Sequence, residues 1–160
     1  MAISEIEKWV ESQEYQVQLD SQGRIIDYLD SDITRDNKPE ERIRQKTAHI
    51  LHEEYGYPKE SIGFEKTINI GQEKKRADIV IYQSKLANKE NNQGKILLIF
   101  EIKAPNIKSR DGQLNSYISA TSAQGGFWTN GSNIEYFRKD AESQEIIHWL
   151  GIPKIWSCMG

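Results

Sequence analysis

The chain has 160 residues, a formal net charge of −3 and a single cysteine, Cys158. That length suits one domain able to bury a core without covalent staples, and a lone cysteine excludes both an internal disulfide framework and a paired-cysteine metal site. Acidic and basic residues are mixed, without the basic excess of a simple nucleic-acid-binding module; the first residues are too charged for a secretory signal, and the longest apolar run, Ile96 to Phe100, is too short to cross a membrane. The expectation is a soluble, cytoplasmic protein.

In chain order, Ile3, Ile6 and Val10 have helical spacing over a short, peripheral stretch. Tyr15 to Leu19 and Arg24 to Tyr28 flank Asp20-Ser21-Gln22-Gly23, which predicts a hairpin. Asp30 to Lys38 is polar and turn-rich. Pro39 then opens a helix, with Glu40 and Glu41 in its first turn and Ile43, Thr47, Ile50 and Leu51 along it; Gly56 and Pro58 end it. Phe64 to Ile70 alternates as a strand, Gly71 to Lys75 is a turn, and Arg76 to Tyr82 is apolar enough for a central strand. Ser84 to Lys95 is expected to be a loop. Lys95 to Lys103 is the clearest strand, closed by Pro105. Asp111 to about Ser122 has helical spacing at Leu114, Tyr117, Ile118 and Thr121. Phe127 to Thr129 and Ile134 to Phe137 flank Asn130-Gly131, a second hairpin, and the apolar tail from Ile146 to Trp156 packs back or leads into a further domain. Helix, three strands, helix and two strands make a mixed α/β fold, a sheet covered by helices.

Chemistry concentrates at the end of two strands. Glu101 and Lys103 are two residues apart on a strand and project to one face. If the strands of Asp78 and Glu101 are antiparallel neighbours, Asp78 falls beside Glu101. Two carboxylates at the end of an apolar sheet repel each other, and a hard divalent cation that takes oxygen ligands resolves the conflict. A Glu-x-Lys pair is more often a surface salt bridge worth under about 1 kcal/mol; the apolar run before Glu101 and the aspartate on the preceding strand argue for more.

Asp78 followed by Glu101-Ile102-Lys103 at the end of an apolar strand resembles the PD-(D/E)XK nucleases. Gln113-Leu114-Asn115-Ser116-Tyr117 is similar to the Q-x-x-x-Y element of several of their branches. Four stretches, Thr34–Gln45 (TRDNKPEERIRQ), Lys74–Tyr82 (KKRADIVIY), Phe100–Asn106 (FEIKAPN) and Phe127–Phe137 (FWTNGSNIEYF), resemble the N-terminal nuclease domain of type I restriction enzyme R subunits, with related domains accompanying N-6 adenine DNA methylases. The resemblance implies a restriction-endonuclease-like sheet with an αβββαβ core. It further implies Mg²⁺, or Mn²⁺, on Asp78, Glu101 and the backbone carbonyl of Ile102. Lys103 would position the attacking water, Gln113 would bond near the metal or phosphate, and Tyr117 would support it. Glu41, or else Glu40, would be the helix carboxylate, the other complementing the helix dipole. Ala77 stands where the name-giving proline would be.

The expected boundaries are an N-terminal extension at 1–38, a nuclease core at 39–140 and a tail at 141–160. The implied function is a Mg²⁺-dependent endodeoxyribonuclease domain of a restriction-modification system. Its partners are DNA and further subunits or domains, an ATP-dependent motor and a methylase, whose motifs this sequence lacks. The alternatives are a non-cleaving DNA-binding or assembly module on the same fold, and a nuclease for branched or damaged DNA or for RNA. His49, His52 and His148 read as structural. Lys74-Lys75-Arg76 is either a solvated turn or a phosphate contact, and Phe127, Trp128, Tyr136 and Phe137 read as core.

Overall fold

The computed structural model describes residues 16–108 and 112–149. The expected helix around Ile3–Val10, the apolar tail beyond Trp149 and Cys158 lie outside the described residues. Among those residues, β1 (Ile25–Ile26) and β2 (Thr34–Arg35) form a small antiparallel pair ahead of α1 (Pro39–Glu53). Then follow β3 (Ile62–Ile70), β4 (Glu73–Tyr82), a short helix α2 (Lys85–Lys89), β5 (Ile96–Ile102), α3 (Gln113–Ala120), β6 (Gly125–Thr129), β7 (Ile134–Lys139) and β8 (Ile146–Trp149). The large sheet runs β3-β4-β5-β6-β7-β8 in chain order. All its pairs are antiparallel except β5 with β6, and α3 supplies the crossover that a parallel pair needs. The expected mixed α/β class, with helices flanking a mixed sheet, is the fold observed.

The two faces of the sheet carry separate cores. On one, Ile50 and Leu51 of α1 pack with Ile79, Ile81, Leu98, Phe100 and Phe127. On the other, Leu114, Tyr117 and Ile118 of α3 pack with Val80, Ile99 and Trp128. Every residue of β5 is buried, as a central strand covered on both sides requires. Phe100, Phe127 and Tyr136 stack across three strands at centroid distances of 4.5 and 4.4 Å. Gly126 lets α3 approach the sheet: a Cβ there would lie 2.7 Å from Leu114 Cδ1 and 2.8 Å from the Ile99 carbonyl oxygen. The aromatics expected in the core are buried there.

Local chemistry explains the departures from the sequence reading. The hairpin expected from Tyr15–Leu19 and Arg24–Tyr28 forms over residues 18–26, as one bridge, Leu19 to Ile25, flanked by bonds from the Asp20 N–H to the Arg24 carbonyl and from the Ile26 N–H to the Gln18 carbonyl. The Asp20 carboxylate takes the N–H groups of Gln22 and Arg24, closing the turn of this hairpin. Ile25–Ile26 pair also with Thr34–Arg35, inside the segment expected to be polar and turn-rich. The turn expected over Gly71–Lys75 spans two residues, because Ile70 already pairs with Glu73 and Gly71 supplies the positive φ of 60° that a tight hairpin demands. Strand β4 therefore starts at Glu73, not Arg76. The loop expected at Ser84–Lys95 contains α2, capped by the Ser84 hydroxyl, which accepts the Ala87 N–H at 3.1 Å.

Candidate active site

The β3–β4 hairpin extends beyond the end of β5, so β4 gains a second neighbour only from about Ile79 onward. Asp78 sits at that boundary. It is mid-strand in β4, not at the strand's start, yet it lies where β5 ends. Ile79 faces Phe100 in the last rung of the antiparallel ladder at this end, and Asp78 and Glu101 are the next residues on their two strands. The Oδ2 atom of Asp78 accepts the Ile102 N–H at 2.7 Å. Glu101 is 3 % exposed, and its Oε1 lies 3.2 Å from Lys103 Nζ, the same-face pairing that the two-residue period requires. Burial pushes the Asp78 carboxyl above its ordinary value; the Ile102 N–H, Arg44 and Lys103 pull it back, and Glu65 adds to the upward shift.

A cleft of about 420 Å³ opens beside Asp78 and Ile102, lined further by Glu41, Arg44, Glu65, Arg35 and Lys38. Between the two helix carboxylates, Glu41 turns inward and Glu40 stays exposed. The guanidinium of Arg44 grips the Glu41 carboxylate with two nitrogens, Nε donating to Oε2 at 2.9 Å. Gln45 Nε2 donates to Glu41 Oε2 at 3.0 Å and to Asp27 Oδ1 at 2.8 Å, while Arg35 Nε donates to the same Asp27 oxygen at 2.7 Å. Burial works against the charge of Arg44, but Glu41, Glu65 and Asp78 outweigh it and hold its pKa above the ordinary value.

Sequence reasoning missed this network. Arg44 lies on one helical line with the buried Ala48 and Leu51, a spacing that marks an inward-facing position, but a charged residue there hides the pattern. Glu65 gave no signal at all. It sits in β3 at a φ of 53°, a backbone region costly for a non-glycine residue and frequent at functional sites.

The Gln113–Tyr117 element divides. The Tyr117 hydroxyl is buried and donates to the Arg76 carbonyl oxygen at 3.0 Å, anchoring β4 two residues before Asp78. Gln113 lines a groove with Ile70, Glu73, Lys75 and Ser116, on the α3 side of the β3–β4 hairpin. Of the histidines, His49 packs edge-on against Tyr28 and His52 Nδ1 lies 2.8 Å from the Tyr57 carbonyl oxygen.

Among the described residues, no group of three or more histidine, cysteine, aspartate or glutamate side chains is arranged to hold a metal ion. The donor set that remains is the Asp78 carboxylate, which accepts the Ile102 N–H, and the Glu101 carboxylate on the strand that carries Ile102. Both are hard oxygen ligands, and one or two carboxylates with waters completing the shell is how Mg²⁺ is usually held. By donor chemistry the residues fit such an ion.

The model of one family, described as type I restriction enzyme R protein N terminus, matches residues 39–153. No curated protein and no solved structure matches the chain.

Proposed function

Because the chain belongs to the family of type I restriction enzyme R protein N termini, we propose that it is a metal-dependent endodeoxyribonuclease domain of the PD-(D/E)XK kind, serving a restriction-modification system. The observation that carries this reading is the hydrogen bond from Ile102 to Asp78, which ties the Asp78 strand to the Glu101-Ile102-Lys103 strand at one end of the sheet. Mg²⁺ or Mn²⁺ on Asp78, Glu101 and the Ile102 carbonyl would polarise the scissile phosphate and lower the pKa of bound water. The side chains do the rest. Lys103 orients the attacking water and offsets charge that develops on the phosphate. Asp78 and Glu101 keep the centre anionic. Glu41, fixed by Arg44 and Gln45, lines the cleft through which the strand reaches that centre. Tyr117 holds β4 in place, and Gln113, at the groove on the α3 side, would bond near the metal or the phosphate. In this reading the domain works in the cytoplasm on DNA, beside a motor and a methylase carried by other domains or subunits.

The test is cleavage of supercoiled plasmid with Mg²⁺ or Mn²⁺, comparing the wild type with Lys103→Ala. Nicking by the wild type alone supports the reading; equal cleavage by both proteins sinks the site assignment. A second reading, a non-cleaving module on the same fold, draws support from the ion pair that already engages Glu101 with Lys103. It requires that Mg²⁺ confer no stabilisation that Glu101→Gln abolishes.

A further inference from the structure

The carboxylate of Glu65 lies among three guanidiniums from three different elements: Arg35 of β2, Arg44 of α1 and Arg76 of β4. The contacts are loose, 3.9 Å to Arg35, 3.4 Å to Arg44 and 3.7 Å to Arg76. The same arginines are held tightly elsewhere. Arg35 is bonded at 2.7 Å to Asp27, and Arg44 is forked onto Glu41. Both are therefore preorganised by partners of their own, and both turn a further edge toward Glu65. Arg35 and Arg44 also cover the Phe64 ring at 5.5 and 4.8 Å, which fixes their planes. Arg76 is 70 % exposed and meets Glu65 from the solvent side, beside the cleft that Glu65 lines.

The backbone presents Glu65 unusually. Phe64 pairs with Ile79 and Lys66 with Ala77, but the ladder breaks at Glu65, whose φ is 53°. A strained residue is thus kept where its carboxylate meets three cations and lines the same cleft as Asp78. None of the three guanidiniums reaches Glu65 at the distance of a good charge-assisted hydrogen bond, roughly 2.7–2.9 Å. A phosphodiester, bulkier than a carboxylate and with its non-bridging oxygens set tetrahedrally on phosphorus, suits guanidinium forks.

We infer that Arg35, Arg44 and Arg76 form a subsite for a backbone phosphate of the nucleic acid next to the one cleaved, and that Glu65 occupies it as an internal stand-in until the strand displaces it. The phosphodiester identity of the ligand rests on the nuclease reading above. The arginines hold the strand beside Asp78, and the competing carboxylate weakens binding of nucleic acid that does not fill the cleft.

The experiment is binding of a labelled DNA duplex to the full chain at several salt concentrations, with a chelator present so that no strand is cut. The proteins are the wild type, Glu65→Gln and Arg76→Gln, each checked for its melting temperature. Glu65→Gln is expected to bind about fivefold more tightly, because the competitor loses its charge. Arg76→Gln is expected to bind about fivefold more weakly, with the slope of log affinity against log salt reduced by about one, as loss of one phosphate contact predicts. Equal affinity of all three proteins, or no binding by any of them at low salt, overturns the inference. Failure of the nuclease reading has another signature: the wild type does not cut plasmid, yet Glu65→Gln still binds more tightly. Conversely, cleavage lost in Lys103→Ala with affinities unmoved by the other two substitutions would retain the nuclease and remove the subsite.

Discussion

Asp78 and the backbone of Ile102 are joined by a hydrogen bond of 2.7 Å, so the two halves of the candidate site are held in register by the carboxylate itself. A side chain that serves as a ladder rung cannot drift relative to Glu101 and Lys103. Asp78→Asn keeps an oxygen that accepts the Ile102 N–H and removes the buried charge. The expected outcome is loss of metal-dependent cleavage in a protein whose melting temperature at pH 7 is unchanged or up by roughly 2–4 °C, the response of a domain this size to about 1 kcal/mol.

The same substitution makes a pH prediction. Burial raises the folded-state pKa of Asp78 above its ordinary 3.8, so the folded protein prefers the protonated form. The stability that this proton confers is fully present below 3.8 and is lost as pH rises through the folded-state value. Any advantage of Asp78→Asn at pH 7 should therefore shrink as pH falls toward 3.8. Melting curves of both proteins across that range measure it, and a gap that widens on acidification contradicts the assignment of burial as the cause.

Arg44 and Glu41 form a largely buried pair, with side-chain exposures of 7 and 13 %. Removing one partner of such a pair strands a charge, so Arg44→Met should cost about 3 kcal/mol in denaturant unfolding. Replacing both, as Arg44→Met with Glu41→Gln, should recover a large part of that loss. A double variant as unstable as the sum of the two single ones would mean that the pair is not coupled.

Tyr117→Phe deletes the hydroxyl that donates to the Arg76 carbonyl oxygen at 3.0 Å. A lost bond of this kind costs about 1 kcal/mol. Because the anchor lies two residues from Asp78, cleavage should fall several-fold without vanishing. Complete loss of activity in a stably folded Tyr117→Phe would give the hydroxyl a direct part in the reaction.

Gly126 is the contact point between α3 and the sheet. An added Cβ meets a backbone oxygen, the Ile99 carbonyl, at 2.8 Å, and backbone cannot step aside cheaply. Gly126→Ala should destabilise by about 2 kcal/mol, whereas Gly71→Ala probes only the strain of a positive φ in open space. Unfolding curves for the two variants separate these causes.

Much of the architecture could be read from the chain because its signals are local. Pro39 with Glu40 and Glu41 marks the start of α1, the run from Ile96 to Phe100 marks a doubly covered strand, and Asn130-Gly131 marks the β6–β7 turn. The expected loop at Ser84–Lys95 failed where a side chain outcompetes the periodic pattern. Ser84 caps a helix in a stretch polar enough to read as loop.

The sequence by itself determined the element order, the placing of Glu101 and Lys103 on one strand face and the family to which the chain belongs, since each depends on spacing along one segment. Only the tertiary structure decided which residues meet across segments. The β4–β5 register brought the Asp78 carboxylate to the Ile102 N–H, helix rotation turned Glu41 inward and Glu40 outward, and the fold gathered Arg35 of β2, Arg44 of α1 and Arg76 of β4 around Glu65. Those meetings depend on how far one element slides or turns against another. That is set by how the side chains of both fill the space between them, and no single segment encodes it.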